Sequence, residues 1–594
     1  MNSKTAITRY IVDLNRVSEQ RIVIQLILQK TDQKGQTFKL PAWIPGSYLI
    51  RDFAKNIVDI TASAAGKPLL INKIDKLTWR CEPCDAPLQI TYEVQASDLS
   101  VRGAHADGSH AYFNGTAVFL MPEQHRQGRF SVEILEKSCP IHEARVISAL
   151  TESDVNASGF GIYYANSYDE LIDHPFEVGQ ITREVFTATV PHSLNFFGRF
   201  KTDVKRIRED VAKICATTQA LFHSPAPMTH YDFLITVLDK GYGGLEHENC
   251  SSLICSHYDL PFPHDKGISP DYEKFLGLIS HEYFHAWLVK RIKPDVFMPY
   301  PLWHETYTEL LWVFEGFTAY YDDLILLRAG LLPLPRYLTL IEKQLTQYEQ
   351  TPGRFKQSLN ESSFDAWIKF YQPNESSVNT GVSYYQKGSL LALCLDVAIR
   401  RETADTRSLD DLLRLMWQHH GVKKQGLRFD LLLADLKTIL PAWSTLPARL
   451  QTWVAETTPL PIEESLQALG VTLARQPMLP EHDAHFVPAW GVKLMPDGLK
   501  IQSVLEGGIA FKAGLLPGDE LLAIDEFQID KAKLSVLMGR YAEGEKMLVH
   551  FFRRGLLHAI NLSKAAPAFS SIKLGLSEDT AQEVQARLKQ FQGI

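Results

Sequence analysis

The segment His281-Glu282-Tyr283-Phe284-His285 has the residue types and the spacing of a catalytic metal site. On a helix, residues four apart lie on one face, so two imidazoles at this spacing can bind a single Zn²⁺. Glu282 then lies beside the metal, where it can act as a general base. A catalytic zinc also needs a third protein ligand and an open position for water.

Glu315 is the candidate third ligand. It is the only acidic residue in the apolar and small-residue run from Leu310 to Tyr321. A carboxylate in such surroundings is costly unless it is paired or binds a metal. Asp322 lies two helical turns further on, on the same face. It either orients one of the histidines as their hydrogen-bond partner or is an exposed helix charge.

A glycine pair precedes a second candidate carboxylate. The apolar run Phe233–Leu238 is typical of a strand, and Gly243 and Gly244 follow it shortly before Glu246. Paired glycines permit close approach of a substrate to the backbone, and Glu246 could hold a substrate ammonium through a charge-assisted hydrogen bond. The alternative is a simple turn followed by solvated acids.

Tyr385 is a candidate oxyanion donor. It lies in Ser383–Gly388, at the start of a predicted helix. A tyrosine hydroxyl there can donate a hydrogen bond to the oxyanion of a tetrahedral intermediate. The alternative is a tyrosine that only packs.

These residues must be positioned by several domains, because 594 residues are too many for one hydrophobic core. Up to about residue 170 the chain is β-rich, with alternating apolar residues in Arg21–Gln29 and Leu88–Val94. A helix is predicted from Asp271 to Arg291, with Pro270 before it and Pro294 after it.

Further helical patterns and one proline-rich region follow. Helices are predicted at about 308–330, 335–350, 384–402, 408–418 and 428–440. Prolines accumulate between about 440 and 485, which indicates a linker or a small connecting element. Short β-like runs return between about 485 and 565, and Ser577–Gln592 is predicted to be an amphipathic helix.

Composition excludes several functional classes. Hydrophobic residues make up 45% and charged residues 22%, as in an ordinary globular protein. A formal charge of −8 argues against binding to nucleic acid or to an anionic membrane. No run of about 18 apolar residues occurs, and the first residues lack the apolar core of a signal peptide. With only seven scattered cysteines, the expected location is cytoplasmic.

The order of these motifs resembles that of the gluzincin peptidases. Gly-Gly-x-Glu-His, His-Glu-x-x-His, Glu-Gly-Phe and Tyr-x-Lys-Gly look like the aminopeptidase N superfamily, and more closely like the glycyl aminopeptidase family. Leu40–Tyr48 resembles that family's N-terminal signature. Val504–Asp519 is similar to a bacterial-type PDZ core, with Trp490-Gly491-Val492 as a candidate carboxylate-binding loop.

The resemblance implies a multidomain α+β fold. It combines a β-rich N-terminal domain, a mostly helical thermolysin-like catalytic domain with a small antiparallel sheet, and a C-terminal PDZ domain. The corresponding boundaries are 1–170 for the N-terminal domain, 171–470 for the catalytic domain, 471–566 for the PDZ domain with its lead-in, and 567–594 for a helical tail.

The resemblance also implies roles for the site residues. One Zn²⁺ per chain would be held by His281, His285 and Glu315, with Glu282 as general base. Tyr385 matches the transition-state tyrosine and Glu246 the acid that holds the free α-amine, with Gly243, Gly244 and His247 beside the substrate. The chain departs from the wider pattern where Phe314 and His247 replace asparagines.

The expected activity is zinc-dependent hydrolysis of the N-terminal peptide bond of peptides, with a preference for small first residues such as Gly or Ala. Two alternatives are a zinc endopeptidase whose PDZ domain selects substrates and a non-catalytic peptide-binding protein. The expected partners are peptide substrates and a peptide C-terminus or protein at the PDZ domain, without nucleic acid or membrane. The PDZ domain could equally only support the catalytic part.

Overall fold

The computed structural model describes residues 7–85, 87–478, 485–566, 569–578 and 581–593. The chain divides into two compact units. The first unit comprises Met1–Thr306 and Arg414–Arg428, and the second comprises Tyr307–Leu413 and Phe429–Ile594. Residues 1–6, part of the segment predicted to lack a signal-peptide core, and residues 479–484 of the predicted linker lie outside the described residues.

The first part of the first unit is β-rich, as predicted. Its described strands are β1 (Thr8–Asp13), β2 (Arg21–Leu28), β3 (Thr37–Lys39), β4 (Ile57–Ala64), β5 (Lys67–Leu69), β6 (Ile71–Lys73), β7 (Thr78–Cys81), β8 (Leu88–Gln95), β9 (Ala104–Ala106), β10 (His110–Phe113), β11 (Met121–Pro122), β12 (Phe130–Ile134), β13 (Arg145–Ile147), β14 (Thr151–Val155), β15 (Gly161–Ala165) and β16 (Phe176–Gly179). Two short helices, α1 (Gly115–Val118) and α2 (Tyr168–Ile172), connect them.

These strands form three sheets. The largest has the order β14-β15-β12-β1-β2-β8-β4-β5, and two four-stranded sheets have the orders β13-β16-β10-β9 and β11-β3-β7-β6. The strand β2 alternates as its sequence predicts: Ile22, Ile24, Leu26 and Leu28 are buried, and the residues between them are partly exposed. This alternation places one face of the largest sheet in the core.

The second part of the first unit carries the metal-site motif. Its elements are β17 (Ile181–Thr187), β18 (Pro191–Phe197), α3 (Val204–Leu221), β19 (Tyr231–Leu238), β20 (Gly243–Glu246), β21 (Cys250–Ser256) and α4 (Pro270–Phe284). The sheet order is β17-β18-β19-β21-β20.

The prediction of an antiparallel sheet is wrong, because the sheet is mixed. The pairs β18–β19 and β19–β21 are parallel, whereas β17–β18 and β20–β21 are antiparallel. The helix α3 provides the long crossover that a parallel neighbour requires. The strand β20 is an edge strand that folds back onto β21 as a short hairpin.

The predicted helix over Asp271–Arg291 is also too long, because α4 ends at Phe284. Its start agrees with the start signals in the sequence. Ser269 caps the helix by accepting a hydrogen bond from the Tyr272 N–H at 3.1 Å, and Pro270 occupies the first turn.

Helices dominate the middle of the chain, as predicted. They are α5 (Phe317–Arg328), α6 (Leu334–Glu349), α7 (Leu359–Phe364), α8 (Ser377–Thr380), α9 (Gln386–Glu402), α10 (Leu409–Met416), α11 (Phe429–Ile439), α12 (Leu446–Ala455) and α13 (Ile462–Ala468). A π-helical turn over Trp312–Gly316 precedes α5. The described part of the proline-rich region is more ordered than a linker, since it contains α12, α13 and the next strand.

The C-terminal part returns to short strands. It contains β22 (Val471–Pro477), β23 (Phe486–Val487), β24 (Val492–Leu494), β25 (Ile501–Val504), α14 (Ile509–Ala513), β26 (Glu520–Ile524), β27 (Phe527–Gln528), α15 (Lys531–Arg540), β28 (Lys546–Arg553), β29 (Leu556–Ser563), β30 (Ser570–Leu576) and α16 (Gln582–Phe591). The terminal helix is therefore shorter than the predicted Ser577–Gln592.

The C-terminal strands form three small sheets, two of which enclose a core of their own. The orders are β23-β24-β25 and β27-β26-β28-β29, while β22 pairs with β30. A buried cluster that includes Trp490, Ile501, Leu534 and Val549 fills the space between the first two sheets, α14 and α15. Among the residues described, no helix has the length and apolar composition needed to cross a membrane.

Candidate active site

The helix α4 places the two histidines of the metal-site motif one above the other. His285 is the residue that caps the helix, and its N–H still donates to the His281 carbonyl at 3.3 Å. The imidazole ring centroids are 4.6 Å apart and the rings are perpendicular. His285 is buried and His281 is partly exposed, so the pair lies at the margin of the core.

The chain reverses immediately after α4, and this reversal orients His285. Val289 adopts φ +90°, a left-handed conformation that strains a β-branched residue. The turn brings the Leu288 carbonyl within 3.0 Å of His285 Nδ1. Because a carbonyl only accepts, Nδ1 carries the proton and Nε2 keeps its lone pair for a metal.

Two buried carboxylates that are not expected ligands lie next to His285, and their negative charge favours a bound divalent cation. Candidate ligand atoms of Glu246, Glu282 and His285 lie within 4.8 Å of one another, and all three residues are buried. Buried carboxylates next to a neutral imidazole are costly unless a cation or hydrogen-bond donors balance them. The chemistry of the residues therefore suits the metal that the motif predicts.

The strand β20 presents alternate residues to α4. Gly244 and Glu246 lie on the same face because strand residues two apart share a face, whereas Leu245 is buried on the other side. A Cβ atom on Gly244 would lie 2.0 Å from Glu282 Oε1. Position 244 must therefore be a glycine, because the side chain of Glu282, the general-base candidate, lies against it. The sequence alone gives no sign of this contact. The Gly244 carbonyl also accepts a hydrogen bond from Arg102 at 3.3 Å.

A turn of the N-terminal β-rich region contributes a residue that the sequence alone does not reveal. Gly46, at φ +91°, lies against the Glu246 carboxylate, and a Cβ atom there would lie 2.4 Å from Glu246 Oε1. Gly46 belongs to the segment Leu40–Tyr48, whose sequence indicates only the family resemblance. Two residues separated by 200 positions give no local signal of this contact.

In the second unit, a glycine contact joins the segments of Glu315 and Tyr385. Glu315 is buried within the π-helical turn. A Cβ atom on Gly316 would lie 2.6 Å from the Gly388 Cα, so the two backbones touch. Gly316 directly follows Glu315, and Gly388 lies shortly after Tyr385. The contact between the glycines therefore fixes the two segments relative to each other.

Tyr385 is partly exposed at the start of α9. Its ring stacks with Phe370 at a centroid distance of 5.3 Å and an interplanar angle of 22°. Tyr384, its neighbour, is fully buried. The packing holds the tyrosine ring from one side. Asp322 is half-buried on α5, and its role towards a histidine stays a prediction.

Comparisons with known proteins agree with the motifs. The Peptidase M61 N-terminal domain matches residues 9–180, and the M61 glycyl aminopeptidase family matches residues 274–391. A crystal structure of an aminopeptidase N family protein from Idiomarina loihiensis is 34% identical over 98% of this chain and 100% of that chain, with a TM-score of 0.93. The chain belongs to the M61 glycyl aminopeptidase family.

Membership makes this M61 protein a metallo-aminopeptidase, a hydrolase, and implies a zinc cofactor. An M1 zinc metallopeptidase from Deinococcus radiodurans is also similar, with 13% identity over 78% of this chain and 97% of that chain and a TM-score of 0.46. No curated protein matches the chain.

Proposed function

We propose that this M61 peptidase releases the N-terminal residue of peptides and favours small first residues such as Gly or Ala. In this proposal one Zn²⁺ is held by His281, His285 and Glu315. The main support is the cluster of Glu246, Glu282 and His285, whose candidate ligand atoms lie within 4.8 Å of one another. An amine-binding carboxylate this close to a general base restricts cleavage to the first peptide bond.

Bound zinc would supply Lewis-acid chemistry, which activates water and polarises a carbonyl. Glu282 accepts a proton from the attacking water and later donates it to the leaving amine. Glu246 accepts hydrogen bonds from the substrate ammonium and so fixes the N-terminus. Tyr385 donates a hydrogen bond to the oxyanion that develops on the scissile carbonyl.

The preference for small first residues is supported by the crowding at Glu246. The Gly46 backbone lies directly against its carboxylate. This contact restricts the space near the substrate's first Cα.

A panel of aminoacyl p-nitroanilides tests the proposed activity. Gly and Ala substrates are expected to give the highest kcat/KM, because a larger first side chain clashes with the wall near Gly46. A chelator should abolish hydrolysis, and added zinc should restore it. Faster hydrolysis of Leu or Phe substrates would contradict the proposed preference, and full activity in the chelator would contradict the metal requirement.

We also propose that residues 471–566 contain a PDZ domain that supports the catalytic part. A peptide ligand would add as a strand to a free edge of β24 and place its carboxylate on loop amides. Here β25 and β23 pair with the two edges of β24. The Trp490 and Gly491 N–H groups both donate to the Val487 carbonyl, at 3.1 and 2.9 Å. The chain's own residues thus occupy the positions that a ligand would take.

The supporting role predicts that the intact protein does not bind peptide C-termini at this domain. Fluorescently labelled peptides with free apolar C-terminal residues are expected to show no saturable anisotropy change, measured with chelated enzyme so that they are not cleaved. Saturable binding that Val487→Asp abolishes would overturn the supporting role.

Asn379 on α8 holds the domain by donating to the Val504 carbonyl at 2.8 Å and accepting from the Glu506 N–H at 2.9 Å. Asn379→Ala should therefore lower the melting temperature.

A further inference from the structure

The turn that follows Glu246 sets where the amine-binding carboxylate lies. His247 donates its N–H to the Cys250 carbonyl at 2.9 Å, and the Asp232 N–H donates to the Asn249 carbonyl at 3.2 Å. Among the described strands, the four-residue edge strand β20 pairs with β21 alone, so this turn restrains its end. Whatever holds residues 247–249 also positions Glu246.

Asp173, at the end of α2 in the N-terminal β-rich region, holds this turn. Its carboxylate accepts a hydrogen bond from the Glu248 N–H at 2.8 Å and lies 3.5 Å from His247 Nδ1. It also accepts from Lys290 Nζ at 2.5 Å. The Asp173 carboxylate therefore binds the backbone of the turn, contacts the His247 ring next to Glu246 and pairs with the buried Lys290 ammonium.

The Asp173–Lys290 ion pair connects this turn to the residues that follow α4. The Lys290 N–H donates to the carbonyl of His285 at 3.1 Å. Burial alone would raise the pKa of Asp173, but the Lys290 ammonium, His247 and His174 together outweigh burial and hold that pKa well below its usual range. Asp173 and Lys290 are thus both charged at neutral pH, and their attraction is strong in these surroundings.

His174 adds a second contact from the same region. Its Nε2 lies 2.6 Å from Asn249 Oδ1, and the Asn249 amide donates to the Ala149 carbonyl at 3.4 Å. Arg291 holds the turn from the other side by donating to the Glu248 carbonyl at 2.7 Å and to the Ala286 carbonyl at 2.6 Å. Contacts from the N-terminal region and from Arg291, after the end of α4, thus hold the turn in place.

We propose that Asp173 and His174 are positioning residues for recognition of the substrate's amino group, so that the N-terminal region takes part in exopeptidase selectivity. Neither residue needs to touch the substrate. They hold the turn after Glu246, and a displacement of about 1 Å in such a group is enough to impair catalysis strongly. The inference rests on the proposed amine-binding role of Glu246.

The test compares two inhibitors that differ only in the α-amine: alanine hydroxamate and propionohydroxamate. The ratio of their inhibition constants reports amine recognition, since both bind metal through the same group. Asp173→Ala alone would leave a buried ammonium unpaired and destabilise the fold. We therefore choose the double variant Asp173→Asn/Lys290→Met, which removes both charges, and His174→Gln, which keeps the buried pair intact.

Both variants are expected to retain zinc and a cooperative melting transition. The preference for the amine should fall by about tenfold or more in the double variant and by a smaller factor in His174→Gln. The matched control is Asp169→Asn, which removes the Arg126–Asp169 ion pair from the same helix α2 and should leave the ratio unchanged.

A wild-type ratio in either variant, folded and zinc-loaded, would overturn the positioning role of the residue that it replaces. If the double variant does not fold, His174→Gln alone decides whether contacts at the turn affect recognition of the amine. A wild-type enzyme that binds both inhibitors equally would instead contradict the role of Glu246, and the inference would fall with it.

Discussion

Replacing Glu282 by glutamine is expected to lower kcat by roughly 10²- to 10⁴-fold while the protein keeps its zinc. Glutamine has nearly the same shape, so it fits against Gly244, where the Glu282 carboxylate now lies. The amide cannot accept the proton of the attacking water, however. Because Glu282 is not among the proposed ligands, metal content should not change. Steady-state kinetics on alanine p-nitroanilide and metal analysis of the same preparation check both statements.

Asp271→Asn is the matched control for this substitution. Asp271 lies in the first turn of the same helix, is exposed, and undergoes the same change from carboxylate to amide. Its kcat should equal that of the wild type. Near-normal turnover in Glu282→Gln would remove Glu282 from the mechanism, and loss of zinc in that variant would indicate a ligand instead.

Replacing Glu315 by glutamine is expected to weaken zinc binding by more than about 100-fold, because loss of a hydrogen-bond partner of a ligand alone already costs 10- to 100-fold. The neutral amide is a poor ligand for a divalent cation. Glu315 is also the only acidic residue in the run from Leu310 to Tyr321, so no neighbouring carboxylate can replace it. Activity should fall with zinc occupancy. Competition with a chromophoric chelator measures the affinity.

The control is Glu309→Gln, a few residues earlier in the same segment. Glu309 is exposed, and its carboxylate accepts from the Asn360 amide at 3.2 Å. Its zinc affinity should match the wild type. If Glu315→Gln also binds zinc like the wild type, the third ligand is not Glu315, and the proposed ligand set is wrong.

The start of α4 could be predicted from local chemistry, whereas its end could not. Ser269 and Pro270 are ordinary start signals, and they act as expected. The end depends on Val289 in a left-handed conformation that its residue type disfavours. Tertiary packing imposes that turn, which in turn supplies the Leu288 carbonyl to His285. The residue-type signal for an end is Pro294, which lies well beyond Phe284, so the pattern predicts a helix up to Arg291.

The metal-site motif could be predicted because its residues lie close together in the sequence. The contacts that support Glu246 could not, because they come from distant segments: Gly46 lies against its carboxylate and Asp173 holds the following turn. The residue types give little warning, since a glycine or an aspartate in a β-rich region usually marks a turn. The mixed sheet was missed for a similar reason, because strand direction depends on which strands become neighbours.

The most direct measurement of the central claim uses one peptide that begins with glycine and its N-acetylated twin. Mass spectrometry of the products of the zinc-loaded enzyme should show free glycine and a peptide shortened by one residue from the first. The acetylated peptide should stay intact, because it offers no ammonium to Glu246, and a chelator should stop the first reaction. Internal cleavage of the acetylated peptide, or glycine release without metal, would contradict a zinc-dependent aminopeptidase.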